Sequence, residues 1–335
     1  MEVRGRPAKE FVIMKFKLLA ATVAATLLGG LLAAAPAQAI TGGEAAGEGH
    51  PNVGVIFWYD ADGRFRCTAT LVAPDVLLTA AHCTEGAHGK HIVTFSSRIA
   101  DEAPSGVPTA ADATKGYQPG DAGTDSRGRT WYTGTAYTHP QYSDFTDMAN
   151  WNDVGVIKLD TPVAGITPAK IAGLNFLDTF AQPKLNSTLF TIVGYGTEVR
   201  KAESGPQKPT PMSYPLFRRV ADAPGQKLTP QILQVNGNPN DNRGTGGSCF
   251  GDSGGPTFKD GKVVTVTSYG YADNCRYLDG LQRVDIKSSR TGWRASASSP
   301  DAGDSPLSRR AGGADSVPPA LQPMSGSYAA GLRTP

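Results

Sequence analysis

All five histidines of this 335-residue chain precede Ser253, and that order limits the folds available to it. Ser253 lies in Gly246-Gly247-Ser248-Cys249-Phe250-Gly251-Asp252-Ser253-Gly254-Gly255-Pro256, with an acid directly before it and a cysteine four residues earlier. The flanking glycines reach backbone angles closed to other residues and let a ligand come close to the main chain. A serine hydroxyl is a weak nucleophile unless a base stands beside it and a third group orients that base. Ala80-Ala81-His82-Cys83 and Asn152-Asp153-Val154 offer both, in the order His, Asp, Ser. Gly251-Asp252-Ser253-Gly254-Gly255 also satisfies the G-x-S-x-G pattern of a strand-to-helix elbow. That fold carries its histidine after the serine. The elbow is excluded.

Composition narrows the class further. Forty glycines, 25 prolines and 39% hydrophobic residues suit a turn-rich β chain, and the length allows a sizeable core. A net charge of +2 and the lack of a long basic run give no support to nucleic-acid binding. The four cysteines form no C-x-x-C pair and H-E-x-x-H is absent, so no metal and no cofactor are expected.

Along the chain, residues 1–39 read as an export signal. Lys15 and Lys17 open it, Leu18 to Ala35 is apolar, and Ala37-Gln38-Ala39 is a small-x-small cleavage site. The run approaches the ~20 residues that span a bilayer, so a membrane anchor is the alternative. Alanine, threonine and glycine dilute it, which favours a secreted, extracellular protein without lasting membrane association. Val53 to Tyr59 and Arg64 to Val72 flank Asp60-Ala61-Asp62-Gly63 and read as a hairpin. Further strands are expected at Val76 to Thr79, Val154 to Leu159, Phe190 to Tyr195 and Lys262 to Tyr269. Residues 101–129 are a polar excursion, read as solvated loop because no EF-hand spacing is present. Residues 288–335 are rich in Ser, Ala, Gly and Pro and read as a disordered tail.

Thr79-Ala80-Ala81-His82-Cys83, Asn152-Asp153-Val154-Gly155-Val156-Ile157-Lys158-Leu159 and Gly251-Asp252-Ser253-Gly254-Gly255-Pro256 together resemble the signature segments of the chymotrypsin/trypsin family of serine proteases. Weaker echoes are His139-Pro140-Gln141-Tyr142, Gly194-Tyr195-Gly196-Thr197 and Ser268-Tyr269-Gly270. The resemblance implies an all-β domain over 40–287, built as two antiparallel six-stranded Greek-key β-barrels with the active site in the cleft between them. The first barrel would take about 40–160 and the second about 161–287. It implies a monomeric secreted endopeptidase acting on proteins or peptides. Ser253 would attack, His82 would carry the proton, Asp153 would orient the imidazole, and the Gly251 and Ser253 amides would hold the oxyanion. It further implies disulfides Cys67–Cys83 and Cys249–Cys275, and an α-amino group on Ile40, freed with the signal, that pairs with Asp252. The family's closing helix has no counterpart in the composition after Asp285.

Each residue also has a plainer reading: Ser253 as a turn residue, His82 as the end of a strand, Asp153 as an acid at the start of one. Their joint order outweighs those readings. His50, His88, His91 and His139 read as surface or structural, and Trp58, Trp131 and Trp151 as packing. For the primary pocket, the resemblance puts Gly247 at the floor and Ser268 and Gly270 at the mouth, which favours an apolar or aromatic side chain. The far wall is open between Asp279, which would attract a basic side chain, and Gly280. A catalytically silent binding protein and an esterase using the same triad stand as alternatives.

Overall fold

The computed structural model describes residues 40, 43–101, 105–199, 212–213 and 215–291. The export signal and the tail beyond residue 291 lie outside the described residues. Among the described residues, no helix is long and apolar enough to cross a membrane.

Six strands build the first barrel: β1 (Val53–Asp60), β2 (Gly63–Ala73), β3 (Val76–Thr79), β4 (His88–Thr94), β5 (Thr130–Thr138) and β6 (Gly155–Leu159). They pair antiparallel in the order β1-β2-β3-β6-β5-β4, and β4 returns to β1 to close a barrel. Six more build the second: β7 (Leu189–Gly194), β8 (Arg219–Leu228), β9 (Ile232–Asn236), β10 (Pro256–Lys259), β11 (Lys262–Gly270) and β12 (Leu278–Arg283). Their order, β7-β8-β9-β12-β11-β10 and back to β7, repeats that of the first barrel. Closure leaves no long strand edge open to another chain.

Local chemistry explains the turns. In the β1–β2 hairpin the Asp60 carboxylate accepts hydrogen bonds from the amides of Asp62 and Gly63, at 2.7 and 3.2 Å. The β10–β11 turn places Asp260 and Gly261 at φ of 50° and 69°, the left-handed pair a two-residue hairpin needs. Each barrel fills with its own apolar side chains: Ile56, Leu71, Leu77, Val93 and Ile157 in the first, Phe190, Ile192, Leu233, Val264 and Leu281 in the second.

Two expectations change. The excursion at 101–129 is partly anchored, because Arg129 is buried. Its guanidinium donates to the carbonyls of Ile99 and Gly106 and to Asp125. The first residues of the expected tail, 288–291, are also ordered. Residues 287–291 are helical, and buried Ser289 donates to the Arg283 carbonyl at 2.7 Å. A buried serine with a main-chain partner costs little, so composition alone set that boundary too early.

Candidate active site

The β3–β6 ladder ends with Thr79 opposite Gly155. Continuing β3 by three residues and stepping back two from β6 therefore brings His82 beside Asp153. His82 sits in a 3-10 turn, Ala81–Cys83, whose end is pinned by the Cys67–Cys83 disulfide. Buried His91 steadies the same turn by donating Nε2–H to the Cys83 carbonyl at 2.8 Å, and burial pushes its imidazole down to about 4. Nδ1 of His82 lies 2.9 Å from Oδ2 of Asp153, and the His82 amide donates to Oδ1 at 3.0 Å. Asp153 is fully buried. Its carboxylate takes a third bond, 2.6 Å from the Ser268 hydroxyl, which itself accepts from Trp151 Nε1 at 2.9 Å. The Asp153 amide donates to Gln282 Oε1 at 3.1 Å. Nε2 of His82 is buried and makes no hydrogen bond among the described residues.

The serine loop belongs to the second barrel and is tied to the first. Thr68 of β2 donates its amide to the Ser253 carbonyl at 2.8 Å and its hydroxyl to the Gly251 carbonyl at 2.9 Å. Gly254 and Gly255 bond with Thr267 of β11, at 2.8 and 2.9 Å. Gly251 has φ 95° and Gly254 φ 73°. A β-carbon on Gly254 would lie 2.6 Å from the Thr68 carbonyl, so glycine is required there. Neither the Gly251 nor the Ser253 amide is spent on another acceptor among the described residues. Both remain as donors.

Asp252 points the other way, into the protein, and is fully buried. Its carboxylate accepts from the amides of Gly196 and Cys249, at 2.7 and 2.8 Å. Burial raises its pKa to about 6, while those bonds and the charges of Arg66 and Arg219 pull it down. Gly194 and Gly196 pack so tightly on this carboxylate that a β-carbon on either would collide with it. Ile40 is fully buried too.

The pocket residues divide. A β-carbon on Gly247 would lie 2.6 Å from Oδ2 of Asp279 and would strike Gly237. The same oxygen accepts from the Ser248 amide at 2.8 Å. Gly280 is covered by the Tyr269 ring. Asp279 is therefore the residue whose carboxylate lies against Gly247, and burial lifts its pKa to about 7. Gly270 pairs with Asp279 across β11 and β12. The hydroxyl of Ser268, expected at the mouth, is bonded to Asp153. The Cys249–Cys275 disulfide joins the serine loop to the loop after β11. Cys67, His82 and Cys83 bring ligand-type atoms within 4.8 Å of one another, but both sulfurs are consumed by the first disulfide.

Three contributors escape the sequence reading. Gln282 and the Ser268 hydroxyl act through distant pairings that no local pattern announces. Phe145 stands 5.5 Å from His82 and 5.2 Å from Trp151, between ring centroids. Trp151, read as packing, is buried as expected and also carries the Ser268 bond.

A family model described as Trypsin matches residues 40–288. Trypsin of Saccharopolyspora erythraea is 29% identical over 235 residues, which are 69% of this chain and 86% of that protein. Brachyurin of Leptuca pugilator is 27% identical over 250 residues, 73% of this chain and 93% of the relative. Among solved structures, a mutant of human heparin binding protein superposes with a TM-score of 0.51 at 18% identity, covering 79% of this chain and 100% of that one. That likeness speaks to the fold alone.

Proposed function

The chain belongs to the trypsin family, and from that premise we propose that it is a secreted serine endopeptidase working through His82, Asp153 and Ser253. The observation that carries this reading is the His82–Asp153 pair, closed at Nδ1 and open at Nε2. Nε2 takes the proton of the Ser253 hydroxyl as its oxygen attacks the peptide carbonyl. The same nitrogen returns the proton to the leaving amine, and water then releases the acyl group by the reverse path. Buried Asp153 fixes the tautomer and stabilises the imidazolium. The Gly251 and Ser253 amides receive the developing oxyanion, an effect worth about 3–4 kcal/mol per donor in related sites.

Two finer features belong to the proposal. Removal of the signal after Ala39 exposes the Ile40 amine, and its charge offsets the buried Asp252 carboxylate, which is costly to leave uncompensated. Asp279 at the pocket floor directs cleavage after Arg or Lys, in place of the apolar preference suggested by Gly247 alone. The test is direct. A fluorophosphonate probe should label the wild type and not Ser253→Ala, and the wild type should digest casein. A labelled protein that spares casein but cleaves simple esters would sink the peptidase reading, and an unlabelled one would sink the enzyme.

A further inference from the structure

Lysines from separate segments meet at one end of the second barrel. Lys259 closes β10, Lys262 opens β11, and the two are partners across the Asp260-Gly261 turn. The short strand Lys170–Ile171 runs parallel to β11 and sets Lys170 beside the same Lys262. Lys184 begins the short helix Lys184–Ser187. Like charges directly opposite one another weaken a sheet, and Lys262 faces two of them. Among the described residues, the one carboxylate in ion-pair contact with these ammonium groups is that of Asp260, 3.8 Å from Lys259.

Two rings hold the row together. Phe176 and Phe180 stand 5.4 Å apart, edge to face. The ammonium groups of Lys184 and Lys259 lie 4.6 and 5.7 Å from the centre of the Phe180 ring, and that of Lys262 lies 5.0 Å from the centre of Phe176. A ring face attracts a cation through its quadrupole. Lys184 also donates to the Thr179 carbonyl at 3.5 Å, and Lys259 to the Leu189 carbonyl at 3.3 Å. Phe180 is buried, and Phe176 packs on the same core with Leu177, Leu185 and Phe190. Lys170 and Lys184 are exposed, while Lys259 and Lys262 are half-buried. Positive charge is thus fixed along one face and left with little to neutralise it.

We propose that Lys170, Lys184, Lys259 and Lys262 form a docking surface for a linear sulfated polysaccharide. A chain with sulfates along its length meets several ammonium groups at once, and the counterions set free drive its binding. Lysine is a hydrated point charge without the planar fork of arginine, so it suits repeated anions better than one bidentate group. The two rings are packed into the core and covered by cations. They are not free to stack on bases or to enter a bilayer, which argues against a nucleic acid or a lipid surface. Lys262 and Gly270 are the two ends of β11, roughly 25 Å apart along the strand. The surface can therefore be occupied while the proposed cleft stays free, which makes it an anchor. The inference stands apart from the peptidase reading, since nothing in it uses Ser253.

The experiment titrates the secreted protein with dextran sulfate over a series of salt concentrations. Wild type should bind. The triple variant Lys170→Gln, Lys259→Gln, Lys262→Gln should bind at least about tenfold more weakly, with the slope of log K against log salt reduced by about 2–3, close to one per lost ammonium. Arginine at the same three positions should keep the affinity. A charge-matched triple elsewhere on the surface, Lys115→Gln, Arg127→Gln, Lys158→Gln, should change it by less than about twofold. No binding by wild type, or equal losses in the two Gln triples, overturns the proposal. Tighter lysine-dependent binding of polyglutamate or of phosphatidylglycerol vesicles than of dextran sulfate also overturns it, assigning the face to an acidic polypeptide or a lipid surface. Loss of fluorophosphonate labelling on adding the polymer would put the polymer in the cleft and overturn the anchor.

Discussion

The Ser268 hydroxyl and the His82 imidazole share one oxygen of Asp153, at 2.6 and 2.9 Å. The acid is thus held from the second barrel while it orients the His82 ring on the first.

Replacing Ser268 with Ala removes a charge-assisted bond and leaves the Trp151 indole N–H without its acceptor. We expect kcat/KM to fall roughly tenfold, with most of the loss in kcat, and stability to drop by about 1–3 kcal/mol. Steady-state kinetics and urea melts check this. Unchanged kcat would show that the bond has no part in orienting Asp153.

Asp279 gives a pH signature. Its folded pKa of about 7 stands above the ordinary carboxylate value because burial penalises its charge. A raised acid favours the folded state at low pH and loses that contribution as pH rises through about 7. Asp279→Asn should therefore raise the melting temperature at pH 8, by roughly 5 °C, and do little at pH 4. A cationic substrate supplies the missing partner, so the preference for Arg over Phe should grow as pH passes about 7 and vanish in the variant. An Arg preference flat in pH would contradict this.

Asp252 makes the same argument for the N-terminus. With its pKa raised to about 6 by burial, it weakens the folded state as pH rises through that value unless a cation joins Arg66 and Arg219. Protein beginning at Ile40 should be at least about tenfold more active at pH 8 than protein retaining Ala39, and lose less stability between pH 5 and 7. Edman sequencing fixes the start of each preparation. Equal activity would remove the ion pair from the mechanism.

The Asp125 carboxylate takes bonds from the Arg127 and Arg129 amides, from Arg129 Nε and from Trp131 Nε1. Burial pushes it up, but these bonds prevail and hold it well below the usual carboxylate range. A depressed acid contributes stability above its unfolded pKa and loses it as pH falls. Asp125→Ala should lower the melting temperature by roughly 3–6 °C at pH 7 and by much less near pH 2. Equal losses at both pH values would point to packing alone.

The sequence made the serine loop, the His82 and Asp153 segments and the β1–β2 hairpin legible, because each is written in neighbouring residues. Strands β8 and β9 carried no local pattern strong enough to be recognised; they are set by pairing with each other and with β7 and β12. The matching strand order of the two barrels left no residue-level repeat, since backbone pairing constrains side chains only by face. Ser268 was assigned to the pocket because its neighbours Tyr269 and Gly270 carry that resemblance. The acceptor of its hydroxyl, Asp153, lies 115 residues earlier, beyond any local pattern. Phe145 was invisible for a different reason: left-handed angles on Asp144 and Phe145 are not written in residue type.

Thr68 reaches across from β2 to hold two carbonyls of the serine loop. The proposed nucleophile, Ser253, and the proposed base, His82, thus come from separate halves of the chain, joined by a handful of seams. Slippage at that seam by even an ångström would silence turnover before either half began to melt, which makes the rate of hydrolysis a finer gauge of how the halves are seated than any thermal transition.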